Sequence, residues 1–486
     1  MLEGLRSHFS IVATALLLAG CAVGPDYHRP DVKAPDAFKE ASLSPEAARQ
    51  WKMAQPADAL ARGRWWAIFR DPALDQLEDQ AMSANQDIKV AAARVRRARA
   101  LQRQSRSGLF PTVDAGFGPT RQRTSDDAQG GNGGVAQTLW RAQAGVSYEA
   151  DLFGRIASDV EAAEADAEQS AALYQSVRLA LQADVAQAYF QIRRLDAEQA
   201  LYRRTVELRR KTLDLVQQRY DEGDISELDV ARAKSALSSA SSEALGIARE
   251  RAVAEHALAT LLGTTPAQFA LQAHPLDRVS VDIPAGLPSS LLERRPDIAA
   301  AERAMAATNA RIGVAKAAFF PRLNLTGSFG YESAELGNLL EWSSRTFLLG
   351  PLVGTVLSLP IFDGGRREAA LEAARARYEE DVAAYRQTVL RAFREVEDGL
   401  SSLRILKEQT QVQDAAVEQA ARAAQLAQIQ YREGSVSYLD VIDADRDVLQ
   451  QQRASVALDG ERAQVAVGLV RAIGGGWDAV GDVASR

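Results

Sequence analysis

The sequence predicts a mixed α and β fold: a membrane β-barrel assembled from several copies of the chain, joined to very long antiparallel helices. Three observations carry this. One architecture is written twice, at an offset of 210 to 211 residues. Each copy holds a helical run far longer than globular proteins use. Each copy also holds strand-length stretches that alternate apolar and polar side chains.

The offset is read from landmarks. Asp87 in Asn-Gln-Asp-Ile recurs 210 positions later as Asp297 in Arg-Pro-Asp-Ile. Leu109-Phe110-Pro111 recurs as Phe319-Phe320-Pro321. The string from Tyr220 to Val230 recurs from Tyr431 to Val441, and Leu262-Gly263 recurs as Ile473-Gly474, both 211 on. This divides the chain into a leader over 1–20, an N-terminal segment over 21–72, a first repeat over 73–275, a linker over 276–288, a second repeat over 289–477 and a tail over 478–486. Each repeat reads as a helix (73–108 or 289–318), two strands around a polar loop, and a long helical hairpin.

The hairpins are the firmest elements. From Arg155 to Glu222 there is no Gly or Pro in 68 residues, and from Arg366 to Glu433 only Gly399. Ala, Leu, Gln, Glu and Arg dominate, all good helix formers. At 1.5 Å per residue each helix is about 100 Å long. A rod of that length buries an apolar stripe only against similar rods, and its alanines allow close approach. The first helices stop at Gly223 and Gly434. The return helices start at Ser226-Glu227-Leu228-Asp229 and Ser437-Tyr438-Leu439-Asp440, a Ser-x-x-Asp capping pattern in which the Ser oxygen is expected to accept from a free helix N–H. The Asp sits at the positive end of the helix dipole.

The strands fall at 112–118, 140–149, 323–331 and 346–359. In the second, Trp140, Ala142, Ala144, Val146 and Tyr148 alternate with Arg141, Gln143, Gly145, Ser147 and Glu149. In the third, Leu323, Leu325, Gly327, Phe329 and Tyr331 do the same. About ten residues with one apolar side suit a membrane barrel. Four strands cannot close a barrel, and hydrocarbon forbids open edges. Two copies give eight strands, whose interior side chains fill; three give twelve, so a pore favours the trimer.

The N-terminus is a targeting segment. Arg6 precedes the apolar run from Ile11 to Leu18, too short to span a bilayer. It ends in Leu18-Ala19-Gly20-Cys21, which resembles the bacterial lipobox, with Cys21 as the site of lipid attachment. Cys21 is the only cysteine, so no disulfide forms within the chain. The net charge of −7 argues against a nucleic-acid partner. His8, His28, His256 and His274 show no metal-ligand spacing, no glycine-rich phosphate loop is present, and no catalytic constellation is visible; no cofactor or enzymatic activity is expected.

Several long strings are similar to the TolC/OprM-like outer-membrane factors, in the NodT-type branch of efflux lipoproteins. They are Cys21 to Tyr27, Trp66 to Leu74, and Gly286 to Ile298, continuing through Ala301-Glu302-Arg303 and Ala310 to Pro321. The resemblance covers nearly the whole mature chain. It implies a trimeric, twelve-stranded transmembrane barrel continued by a twelve-helix periplasmic barrel, with residues 21–72 also periplasmic. It implies a passive export duct for drugs or small solutes in a tripartite efflux system, with a periplasmic adaptor and an inner-membrane pump, expected of the RND class, as partners. A protein-secretion duct shares the fold; a non-conducting envelope spacer is the reading outside transport.

The resemblance also assigns sites. The adaptor-docking tip falls on Gly223, Ser226 and Leu228 with Gly434, Ser437 and Leu439. The periplasmic gate falls on Tyr431, Asp440 and Asp443; where some relatives place an Arg, this chain has Val436. Capping accounts equally for Asp440, whose repeat mate is Asp229. Asp443 has Arg232 as its mate, so capping does not explain it; Arg232 on a neighbouring hairpin is its expected partner.

The leader predicts a measurable product. Mass spectrometry of the mature N-terminus should find Cys21 cleaved and acylated; an unmodified Met1 or a free Cys21 thiol contradicts the lipobox.

Overall fold

The computed structural model describes residues 23–31, 35, 38–40, 63–123, 136–278, 294–350 and 356–475. The leader, Cys21, residues 279–288 of the linker and the 478–486 tail lie outside the described residues. The helices are α1 (Pro72–Ala84), α2 (Gln86–Ser107), α3 (Arg155–Asp221), α4 (Glu227–Leu261), α5 (Pro296–Ala317), α6 (Arg366–Arg432) and α7 (Tyr438–Ala472). The strands are β1 (Thr112–Arg123), β2 (Ala136–Ala150), β3 (Arg322–Ser333), β4 (Arg345–Leu349) and β5 (Leu357–Ser358). Helices α3 and α6 each have 67 residues, and α4 and α7 each have 35. No described helix is long and apolar enough to cross a membrane.

Two expectations need correction. The helix expected over 73–108 is broken at Asn85, which takes an extended ψ of 137° between α1 and α2. The Asn85 carbonyl Oδ1 accepts from the Asp87 and Ile88 N–H groups, capping α2, while its amide donates to the Leu261 carbonyl at the end of α4 (2.8 Å). A side chain that offers the backbone its own partners ends a helix that propensity alone would continue. The strand expected over 346–359 is two pieces, β4 and β5, with 351–355 outside the described residues.

The chain forms two compact units. The first holds the sheet, an antiparallel meander in the order β1-β2-β3-β4, with β5 also on β3. Its register places Val113, Ala115 and Phe117 opposite Val146, Ala144 and Ala142. Ala142, Ala144 and Val146 in turn face Tyr331, Phe329 and Gly327, and Phe329 and Gly327 face Phe347 and Leu349. Side chains alternate between faces along a strand, so the alternating apolar residues of the first three strands fall on one face, with Phe347 and Leu349; the stretch over 346–359, apolar on both sides, also puts Leu348 on the other face. The shared apolar face is bare: Phe117 is 67% exposed, Phe329 58% and Phe347 77%. On the other face Arg141 pairs with Glu332 directly across the ladder.

At the foot of the sheet Phe153 stacks on Phe320 (4.8 Å). The N-terminal stretch runs along α5. Asn309 donates to the Pro25 carbonyl, the Tyr27 hydroxyl to Glu302, and the Arg29 guanidinium to the Tyr385 hydroxyl. Gly24 packs against Gly313, where an added Cβ would lie 3.2 Å from the Gly24 Cα and 2.7 Å from Ser158 Oγ.

The second unit carries a large apolar core. Trp65, Trp66, Leu74 and Leu77 pack with Tyr189, Phe190 and Ile192 of α3, Leu258 of α4, Val396 of α6 and Val467 and Val470 of α7. Buried alanines, among them Ala183, Ala186, Ala463 and Ala466, let the rods approach. Arg295, the repeat mate of Asn85, donates to the Ala472 carbonyl at the end of α7 (3.0 Å), as Asn85 does to Leu261, and it also binds Asp297 and Glu395. Each hairpin's return helix is thus pinned at its last turn by the residue that precedes α2 or α5, the helix leading into the strands of the same repeat.

One core acid stands apart. Glu78 is fully buried and neither carboxyl oxygen has a partner among the described residues. Burial, reinforced by Asp79 and Asp75, pushes its pKa up to about 9. The folded chain holds this proton where the unfolded chain releases it, so stability falls as pH rises from the ordinary carboxylate range toward 9. Glu78→Met should raise the thermal midpoint at pH 8, by about 1–3 kcal/mol in stability, and flatten its decline between pH 5 and 9.

Candidate functional site

The two turns are built alike. In the first, Asp224 N–H bonds the Arg219 carbonyl and Gly223 N–H bonds the Tyr220 carbonyl; in the second, Ser435 and Gly434 bond Gln430 and Tyr431 in the same way. This is the Schellman closure, which needs a left-handed residue after the helix. Gly223 (φ 84°) and Gly434 (φ 76°) supply it. Both lie in open space; Ile225 and Val436 just beyond them pack onto the core below, while Leu228 and Leu439 are exposed.

The first cap differs from expectation in polarity, whereas the second forms the expected capping box, with the Ser437 side chain accepting from the Asp440 N–H. The Ser226 hydroxyl donates to Asp229 Oδ2 (3.0 Å), and the Ser437 hydroxyl donates to Asp440 Oδ2 (2.6 Å). The Asp229 N–H bonds to the Ser226 carbonyl, and the Asp440 N–H reaches the Ser437 carbonyl as well as its side chain. A carboxylate three residues on is the stronger acceptor, so the hydroxyl turns toward it. Asp440 also takes the Ser437 backbone N–H (2.9 Å). These bonds hold the Asp440 carboxyl below the usual carboxylate range.

Beneath the turns the two hairpins share a small core of Val216, Val230, Ala233, Tyr431, Tyr438, Val441 and Ile442. Tyr431 is a member: its ring lies 5.5 Å from that of Tyr438 and under the Arg219 guanidinium, and its hydroxyl is buried without a hydrogen-bond partner among the described residues. Asp443 points outward, 62% exposed, with Arg446 of the same helix at 3.4 Å. Arg232 lies against Asp229 at 3.7 Å. Within one chain, then, the two residues that break the repeat each have a partner on their own helix, and the structure does not bring them together.

Residues that the sequence did not single out lie further along the hairpins. Arg209 donates to the Ala236 carbonyl (2.6 Å), and Asp445 accepts from Gln428 (3.2 Å). Burial pushes the Asp445 carboxyl up and the Arg209 guanidinium down. Nothing in their spacing marks them, because they sit on different hairpins. Among the described residues no cluster of His, Cys, Asp and Glu could hold a metal ion.

The pair of like hairpins is matched by known proteins. The family model described as "Outer membrane efflux protein" matches the chain twice, over residues 77–264 and 287–475. The chain belongs to the outer membrane efflux protein family. The outer membrane protein OprJ of Pseudomonas aeruginosa is 36% identical over 476 residues, 96% of each chain. A toluene efflux pump outer membrane protein, TtgC of Pseudomonas putida, is 36% identical over 488 residues, covering 97% of this chain and 96% of its own. The solved outer-membrane channel OprN superposes with a TM-score of 0.83 at 32% identity, over 94% of this chain and all of that one. The protein is an outer-membrane efflux component, and the two family matches lie 210 residues apart at their starts and 211 at their ends.

Gly434→Val forces a β-branched side chain into the left-handed region, at about 1–2 kcal/mol. Hydrogen exchange of peptides spanning residues 429–440 should accelerate accordingly. The Asp440 cap should persist at neutral pH and fail only below the usual carboxylate range, since a depressed carboxylate contributes stability that is lost as pH falls through its folded pKa. Ser437→Ala should move that loss to higher pH in the same exchange measurement.

Proposed function

We propose that the chain is the outer-membrane duct of a tripartite efflux system and works as a homotrimer. The bare apolar face of the sheet carries this reading. In water an exposed surface of Val, Leu and Phe is a liability; in a bilayer it is the outer wall of a barrel, with the face bearing Arg141 and Glu332 turned to the lumen. Three copies give the twelve strands that leave a water-filled passage. Cys21 carries the lipid anchor. The four hairpin helices of each copy build a twelve-helix periplasmic tube, closed at the turns that lie farthest along the chain from the strands.

At that end Gly223, Ser226 and Leu228, with Gly434, Ser437 and Leu439, offer a periplasmic adaptor protein two similar exposed turns per copy. An inner-membrane pump of the RND class supplies the energy; the duct itself catalyses nothing and lets cargo pass down its gradient. The toluene efflux relative points to small apolar solutes as cargo.

The gate reading rests on the broken repeat. Three copies of Asp443 would gather like charges that repel one another unless water, cations or a cation from a neighbour intervenes. Arg232 of the adjacent copy is the proposed partner, exchanging Asp229 for Asp443, while Tyr431 and Asp440 brace the turn. Native mass spectrometry in detergent should give three copies; a stable conducting monomer or dimer rejects the assembly. In planar bilayers Asp443→Ala should raise conductance and weaken the effect of divalent cations, whereas Asp229→Ala should change little. Equal, small effects from both reject the gate and leave the assembly standing.

A further inference from the structure

The strand registers are related by the repeat offset. Thr112 pairs with Ser147 across β1 and β2; moved by 210 and 211 residues, these become Arg322 and Ser358, which pair across β3 and β5. Val113 and Val146 likewise become Leu323 and Leu357, again a pair. These two offsets therefore generate the β3–β5 register from the first hairpin, while the β3–β4 pairs, such as Gly327 with Leu349, lie four residues off it. The ladder between the hairpins, β2 with β3, has no such image inside the chain. Its image would join the β4–β5 line to β1, and these are opposite edges of the sheet.

The register of that missing ladder follows from the one observed. Ala150 pairs with Leu323, Tyr148 with Leu325 and Val146 with Gly327. Shifted by the same offsets, in the direction that carries β2 to β5 and β3 to β1, they become Ile361 with Val113, Leu359 with Ala115 and Leu357 with Phe117. We infer that residues 357–361 of one copy pair with residues 113–117 of the next in this register, and that this seam closes the ring. The inference rests on the oligomeric reading above and adds the residues through which the copies join.

Three further observations agree with it. All six side chains fall on the apolar face, so the seam continues that face without interruption. Five of them are among the barest apolar groups of the chain, from Leu359 at 54% to Ile361 at 90% exposed. The strand assignment shows the same gap. The β1 ladder ends at Ser147, so Tyr148 and Ala150 are strand residues because β3 alone holds them. Their images Leu359 and Ile361 lack that neighbour and are not in a strand. At the foot of the seam Phe110, the mate of Phe320, is 62% exposed and Phe362 is 89% exposed; the register brings them within two residues of facing each other.

Side-chain direction alone permits slippage by two residues, because only odd shifts turn a strand over. A disulfide separates the alternatives, since cysteines more than 7 Å apart at Cα do not bridge without backbone movement. The native chain has one cysteine, Cys21, and acylation removes its thiol. In full-length protein in outer membranes, Ala115→Cys with Leu359→Cys should give covalent dimers and trimers on oxidation. Yields should exceed by about tenfold those of Ala115→Cys with Leu357→Cys or with Ile361→Cys, both two residues off register. Val113→Cys with Ile361→Cys is a second in-register pair, for use if the first impairs assembly. Cross-links confined to the off-register pairs, or absent from every pair in a chain that native mass spectrometry shows to be trimeric, overturn the seam alone. A chain that stays monomeric with its native residues overturns the trimer and the seam together.

Discussion

Backbone N–H and C=O groups in hydrocarbon have no water to bond, so a strand edge without a neighbour cannot remain there. The sheet has two such edges, β1 and the β4–β5 line, and one face that is apolar and bare. A single copy is therefore unfinished by the rule that governs every membrane-spanning structure. In the proposed assembly, closure by further copies would satisfy both edges at once and turn the bare face from a liability into a lipid contact.

The helices obey a different constraint. A rod of 67 residues has far more lateral surface than its apolar residues can cover alone, and its stability comes from tertiary packing. Alanine is the economical answer, because it has the best helix propensity and keeps the interaxial distance short. Where rods end, orphan carbonyls must be met. Asn85 meets the carbonyl of Leu261 and Arg295 that of Ala472. These equivalent positions do the same work with different side chains. Arg295 gains two carboxylate partners, Asp297 and Glu395, and Asn85 gains a cap for α2.

The turns show how duplication leaves room for divergence. Backbone closure, left-handed glycine and Ser-to-Asp bond recur in both, because the physics of ending one helix and starting another is the same. One turn past the cap that physics no longer applies, and there the repeats part, with Arg232 in one and Asp443 in the other. A difference that local structure does not require is where a difference in task is best sought.

Much of this was legible in the sequence. Glycine spacing bounded the long helices to within a residue, because left-handed φ leaves few alternatives. Alternation assigned the strand faces correctly, because a pleated backbone has a period of two. The repeat announced a two-part architecture, and the family matches fall on the same halves. The break at Asn85 was missed although its cap on Asp87 and Ile88 is local; its anchor on a carbonyl 176 positions away was hidden. So was the division of the last strand. At the first turn the Ser226 hydroxyl bonds the Asp229 carboxylate and caps no helix N–H, which the pattern does not foretell, while the second turn forms the expected box. Tyr431 was expected at a gate, and within one chain it packs beneath Arg219 and beside Tyr438, which nothing local foretells. Sequence alone determined the elements, their order and their faces, since these follow from local sterics and periodicity. Tertiary structure decided register, the pinning of helix ends and the buried chemistry of Glu78, Arg209 and Asp445, since these arise only when distant segments share one low-dielectric space.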